Sequence, residues 1–422
     1  MQTYYHATAT EPFPHAPQLS ERISADVCVI GGGYAGLSAA LHLARRGASV
    51  VLLEESRIGE GASGRNGGQV HNGFRHDEQW FESRIGGDFA RQIWTLGIEA
   101  REHLDWLIST YNIDAQYCPG LLHVCHKRSY VDETRAHVDD VMSRHPDAGL
   151  RFLDQDETRS LVNSNDYYGS YLDSQSGHLH ALNLALGIAR AASQHGARFY
   201  EQSAATRISR VSDGWEVSTA AGHVKAANVV LAGNGYLRNL QPAVEARVMP
   251  INNFVLTTAP LGREAAERLI RDRLAVSDSR FVVYYFRITP DDRLLFGGGE
   301  TYSYKFPKDI TGVVRGHLLR VFPQLKDTRV DHAWGGTLAI TTSRLPFVRE
   351  IEPGLFNASG FSGQGIVVAP FAGKALAEAI GGNRRLFDLL SQFPVRRFPG
   401  GRYFRWPILV GAMSWFALRD HI

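Results

Sequence analysis

Gly31, Gly33 and Gly36 fall at the spacing G-x-G-x-x-G, and an acid, Glu54, follows 21 residues after Gly33. Glycines at that spacing suit one chemistry, the binding of a dinucleotide. The first permits a sharp turn, the second lets a pyrophosphate approach the backbone at the positive end of a helix, and the third lets that helix lie close to a strand. Glu54 is placed to accept hydrogen bonds from ribose hydroxyls, and its charge would repel a 2′-phosphate. Glu55 beside it offers a second carboxylate for the same task; Glu54 is preferred because it directly ends an apolar run.

The elements that must position these residues are legible around them. Asp26 to Ile30 is a short apolar run, read as a buried strand, and Val50 to Leu53 is another. Between them Leu37, Leu41 and Ala44 share one face of a helix, with Tyr34 and Ala35 at its start. Strand, turn, helix and parallel strand make the unit specific in a chain whose 42 glycines would otherwise dilute the motif.

Two further glycine clusters follow. Ser56 to Val70 carries Gly61, Ala62, Ser63, Arg65, Asn66, Gly67, Gly68 and Gln69, a segment rich in backbone freedom and donors that suits wrapping a cofactor. Gly360, Ser362, Gly363, Gln364, Gly365 and Ile366 repeat the logic of the first cluster, a strand, a glycine turn and a helix whose N-terminal N–H groups face something anionic.

The pair GGGYAGLSAALHLA and GASGRNGGQ resembles the flavin-dependent amine and amino-acid oxidoreductases of the D-amino-acid oxidase superfamily. The likeness extends through YY near the N-terminus, GHLHALNLA, YYFRITPDDRLLFGGG and GFSGQGI to FPGGR. It implies an α/β fold: a Rossmann-like FAD-binding domain of the GR2, D-amino-acid-oxidase type, with a second domain of antiparallel sheet plus helices. The limits expected are 1–80, 165–247 and 335–385 for the FAD-binding domain, 81–164 and 248–334 for the substrate domain, and 386–422 for a C-terminal tail and helix. The resemblance also implies that FAD is the cofactor, that Ala205 contacts adenine through its backbone, and that Ala232, Gly233 and Gly235 form a turn beside the cofactor. Arg65 would supply positive charge near phosphate or the reduced ring, and the Gly360 cluster would face the ring's pyrimidine edge.

For the substrate side, Tyr285 and Arg287 alternate so that both point to one face of a strand. An arginine at about this hairpin position in amino-acid oxidases binds a substrate carboxylate, which makes Arg287 the candidate clamp. His178 and His180 lie where the family's chain passes near the active site, and His178 joins Tyr285 and Arg287 as a catalytic candidate. The chain departs from amino-acid oxidases at WGGTLAITTSRLP, where Leu338 replaces the arginine of their G-x-R-P-like stretch. That departure favours an amine not adjacent to a carboxylate, such as a glutamylated polyamine, over L-pipecolate or another secondary or D-amino acid. The chemistry expected is hydride transfer from carbon to flavin N5, giving an imine that hydrolyses. It needs a neutral amine but no obligatory acid–base residue.

The 45 basic and 43 acidic residues nearly cancel, so nothing points to nucleic acid. Cys28, Cys118 and Cys125 form neither a disulfide framework nor a metal site, and a reducing cytoplasm is expected. The N-terminus lacks the basic start and apolar core of a signal peptide and is expected to lie extended over the surface. No window reaches the length of a membrane span. Trp406 to Leu418 reads as a terminal helix docked on the body, with peripheral membrane or partner contact as the other use of its aromatic patch. The partners expected are a small amine or amino acid and dioxygen or an electron carrier. An NAD-dependent dehydrogenase would explain the first motif alone, and a non-catalytic flavin-binding protein all three.

Overall fold

The computed structural model describes residues 3–301 and 305–400. The strand entering the first glycine turn is Arg22–Ile30, and its last four residues are buried. Burial on both faces requires neighbours on both sides, and the sheet supplies them in the order Phe347–Glu352, Leu355–Ser359, His223–Leu231, Arg22–Ile30, Val50–Leu53, Arg198–Tyr200. All pairings from Leu355–Ser359 to Arg198–Tyr200 are parallel, and the edge strand Phe347–Glu352 is antiparallel. The carboxyl ends of parallel strands share one edge. Gly31, Glu54, Ala232 and Gly360 each follow directly on one of these strands, so the topology alone brings the separated motifs together.

Packing tightens that convergence. Helices Tyr34–Ala44 and Gly365–Ile380, which follow the first and third glycine clusters, touch backbone to backbone: a Cβ on Gly373 would lie 2.3 Å from the Ala35 oxygen.

The second sheet runs Val330–Ile340, Met249–Thr258, Leu294–Thr301, Tyr285–Ile288, Ala275–Asp278, Cys118–Val124, Ser170–His178, Gln69–Val70. Its pairs are antiparallel except Ala275–Asp278 with Cys118–Val124. One face carries Leu122, Val276, Phe286, Phe296 and Leu256 into a core shared with helix Ile310–Val321. The other presents Tyr171, His123, Ser277, Tyr285 and Gly297, successive partners in one cross-strand row. The α/β fold expected from the motifs is the one observed. Gln69–Val70 and Ser170–His178 pair in the second sheet, so strand pairing crosses the expected limits at 80 and 165.

Several local expectations change. The N-terminus starts as a helix before its non-helical stretch: Tyr4–Thr8 is capped by Thr3, with Tyr4 and Tyr5 buried because their hydroxyls find Asp291 and Arg287. Residues 76–107 carry two helices, Glu78–Arg84 and Gly87–Thr110, broken where Gly86 takes φ 115°. Asp173 to His178, a polar stretch, ends the strand Ser170–His178. The run from Phe281 becomes a strand only at Tyr285, because the buried Asp278 carboxylate takes the N–H groups of Arg280 and Tyr284 and bends the chain between them. The terminal helix expected at Trp406 to Leu418 lies outside the described residues. Among the described residues no helix is long and apolar enough to cross a membrane.

Candidate active site

The first glycine turn is built without slack. Gly31 has φ 113°, and a Cβ there would lie 2.7 Å from the Ala232 oxygen. A Cβ on Gly36 would lie 2.0 Å from the Gly31 oxygen. Gly33 caps the helix Tyr34–Ala44 with no side chain of its own, and Tyr34 N donates to Ser63 Oγ at 3.0 Å. Glu54 is folded back onto the turn: its Oε2 accepts from Gly32 N at 2.7 Å and its Oε1 from Ser56 N at 2.8 Å. Burial raises its pKa, and the two N–H donors oppose that rise. Glu55 points outward to Arg238 at 3.0 Å. The structure therefore separates the two acids that the sequence left together.

The second cluster folds over the turn. Asn66 closes the loop on itself, donating to Ala62 O and Ser63 O and accepting from Gly68 N. Arg65 is held by Glu60 and donates to the Gly335 oxygen at 3.2 Å, while Trp334 Nε1 donates to Arg65 O at 2.9 Å. Glu60, hydrogen-bonded by His6 and Arg65, has its pKa lowered to about 2. The loop is thus tied to the N-terminal helix and to the second sheet at once. Its positive charge is already matched by Glu60.

Gly61 and Gly67 lie under aromatic rings: a Cβ would meet Tyr236 at 3.3 Å in the first case and Tyr285 at 2.4 Å in the second. The Tyr285 hydroxyl donates to Asn253 Oδ1, which fixes the ring over the loop.

The third cluster is tied to the same edge. Gly360 N donates to Asn234 Oδ1 at 2.8 Å and Ser362 N to Ala339 O at 2.9 Å. Ala232, Gly233 and Gly235 form the turn that carries Asn234, and Gly363, Gln364, Gly365 and Ile366 lead into the helix beyond. Ala205 lies in the segment that follows strand Arg198–Tyr200.

Two candidates have different surroundings from those expected. Arg287 is 2% exposed, and its guanidinium donates to Gly67 O at 2.9 Å, Tyr5 Oη at 3.1 Å and Leu179 O at 3.2 Å. A side chain placed in this way ties the loop to Tyr5 and to the chain at Leu179. His178 is 3% exposed, and its Nε2–H donates to Arg273 O at 2.8 Å. Burial and the neighbouring Arg287 push its pKa down to about 3, so it stays neutral at a strand end. Tyr285 keeps a place on the open face. The sequence reading passed over Tyr5, Glu60 and Asn253, whose signals are too short to stand out. It also passed over His71, Arg75 and His123, although HNGFRH directly follows the second cluster.

The residues present fit a large dinucleotide. Gly33 adds no side chain at the helix start, where Ser63 Oγ takes only the Tyr34 N–H, and Gln69 Nε2 is buried with no protein partner among the described residues, a donor left for a bound acceptor. A parallel sheet with glycine turns at its carboxyl edge, closed by the polar face of an antiparallel sheet, defines a dinucleotide-dependent redox enzyme. The chain belongs to the family described as FAD dependent oxidoreductase, which matches residues 26–379, and FAD is its cofactor. It is 39% identical over 421 residues to the gamma-glutamylputrescine oxidoreductase of Escherichia coli (strain K12), covering all of this chain and 98% of that one. It is 39% identical over 418 residues to the probable oxidoreductase OrdL of Rhizobium meliloti (strain 1021), covering 99% and 97%. The crystal structure of glycine oxidase from Geobacillus kaustophilus superposes with a TM-score of 0.74 at 21% identity, over 89% of this chain and 99% of that one.

Proposed function

We propose that this protein oxidises the CH–NH group of a glutamylated polyamine, of which γ-glutamylputrescine is the first candidate, to an imine that water opens to an aldehyde. The observation that carries this reading is the full-length 39% identity to an enzyme named for that compound. Two features support it: the family resemblance puts Leu338 where amino-acid oxidases carry the arginine of their G-x-R-P-like stretch, and Arg287 is buried beneath the loop. The same two facts disfavour an α- or secondary amino acid such as L-pipecolate. The three free cysteines suit a reducing cytoplasm, and dioxygen or a carrier would take the electrons.

When bound, FAD supplies the hydride acceptor. Gly31, Gly33 and Gly36 would cradle its pyrophosphate and Glu54 would hold its ribose. Gly61 to Gln69 and Gly360 to Ile366 would enclose the ring. Tyr285 would lie against the substrate, exclude water and keep the amine neutral.

Anaerobic mixing of the FAD-loaded protein with γ-glutamylputrescine should bleach the flavin, and L-pipecolate should not; the opposite pattern would sink the proposal. For the ribose contact, Glu54→Ala should lower FAD affinity by about 50- to 100-fold, the loss of roughly 2–3 kcal/mol of charge-assisted hydrogen bonds. Glu55→Ala should leave it unchanged. Titration of the apoprotein with FAD measures both.

A further inference from the structure

Between the polar face of the second sheet and helices Gly87–Thr110 and Val131–Arg144 lies a cavity of about 250 Å³. Its wall joins the loop after Gln69–Val70 to Gln364 of the third glycine cluster. His123, on its floor, pairs with Ser277, which pairs with Tyr285. The cavity therefore lies two strands, about 10 Å, along the sheet from Tyr285.

Its three carboxylates, Asp77, Glu78 and Asp173, each have hydrogen-bond or ion-pair partners of their own. Asp77 faces His137 at 3.8 Å, and Glu78 is held by His145 at 2.8 Å. Asp173 accepts from Ser176 Oγ and from two backbone N–H groups. Arg75 alone has no ion pair or hydrogen bond to any described residue. It is open to the cavity's solvent, yet protein crowds it closely enough that desolvation lowers its pKa.

The rings beside it add donors without adding charge. Burial, reinforced by Arg75, keeps His71 neutral by pushing its pKa down to about 4. His123 is stacked on Tyr171 with centroids 4.5 Å apart, and burial keeps the Tyr171 phenol protonated. A guanidinium without a counter-ion, ringed by neutral imidazoles and a phenol in a cavity, is suited to a carboxylate.

We propose that this cavity binds a carboxylate at the far end of the substrate, with Arg75 as its ligand. The inference rests on the amine-oxidation reading and adds the charge that the distal end must carry. An α-amino acid, whose carboxylate is attached to the oxidised carbon, cannot span the distance. A γ-glutamyl amine can, because its free carboxylate is separated from the reacting amine by the whole amide-linked chain.

The test compares γ-glutamylputrescine with N-acetylputrescine, which keeps the amine and amide but lacks the distal carboxylate together with its α-ammonium. Wild type, Arg75→Gln and Arg75→Lys are assayed as FAD-loaded proteins, and glutarate binding is followed by calorimetry. Arg75→Gln should cut the kcat/KM preference for the glutamyl compound about 100-fold and weaken glutarate binding to the same degree, with Arg75→Lys recovering part of both. An unchanged preference, or glutarate that fails to bind wild type or binds Arg75→Gln equally, overturns the inference and leaves amine oxidation standing. Glutarate binding that depends on Arg75, in a protein that oxidises neither amine, keeps the cavity assignment and removes the amine reading.

Discussion

Gly36→Ala should give a protein that no longer retains FAD. The new Cβ would lie 2.0 Å from the Gly31 oxygen and 3.2 Å from Ala232 Cβ, and neither the carbonyl nor the strand end is free to give way. The helix Tyr34–Ala44 would have to move off the sheet, and its start is where the pyrophosphate is placed. Overpacking of this kind costs about 1–3 kcal/mol in stability. The loss in cofactor affinity should be larger, at least about 100-fold, because affinity there depends on backbone position to a fraction of an ångström. Gly316→Ala is the control. It sits in helix Ile310–Val321 with nothing within 4 Å of its Cβ, and should gain about 0.5–1 kcal/mol while keeping FAD. Flavin absorbance per protein after gel filtration, together with a thermal melt, decides; full FAD content in Gly36→Ala would show that the turn is not the cradle.

The first sheet was legible in the sequence because its cues are local. Arg22–Ile30, Tyr34–Ala44 and Val50–Leu53 are consecutive, and the glycines between them announce the turn. The same holds for Leu355–Ser359 and the helix Gly365–Ile380. Elements whose form depends on distant partners were harder. Phe281 to Tyr284 is a β-branched and aromatic run that suits a strand, but the Asp278 carboxylate captures its backbone first. Asp173 to His178 is polar enough for a loop, yet its residues are opposed by Cys118–Val124 and Gln69–Val70, pairings that no short stretch announces. The buried Tyr4 and Tyr5 illustrate the same limit, since Asp291 and Arg287 lie almost three hundred residues away.

For the site, the glycine clusters were readable because glycine is needed for reasons of space that leave a fixed spacing. Charged candidates were not, because sequence gives a side chain's face but not its depth. Tyr285 and Arg287 do share a face, as alternation predicts. One sits over Gly67 with its hydroxyl on Asn253, and the other is sealed by Gly67, Tyr5 and Leu179. Arg75 shows the converse. Nothing in HNGFRHDE marks it as lining a cavity, since the opposing wall comes from the strands Cys118–Val124 and Ser170–His178.

Arg287→Met should therefore act on the cofactor loop and on stability, with substrate affinity a secondary casualty. Removing the guanidinium strips a donor from two backbone oxygens and a phenol in the interior, where each unsatisfied group costs about 1–3 kcal/mol. The expected total is about 3–5 kcal/mol, partly offset because a buried cation without a carboxylate partner is itself costly to hold. The loop at Gly67 and the helix Tyr4–Thr8 would both loosen, since this side chain bonds to each of them. FAD should dissociate faster and the melting temperature should fall by several degrees. Arg287→Lys should recover only part of the loss, because an ammonium cannot reproduce the fork that reaches Gly67 O, Leu179 O and Tyr5 Oη together. A carboxylate clamp would behave differently: Arg287→Met would raise KM for carboxylate-bearing substrates while melting temperature and FAD release stayed at wild-type values. Measuring FAD release and KM on the same preparation separates the two roles, and a pure KM effect would return Arg287 to the substrate side of the site.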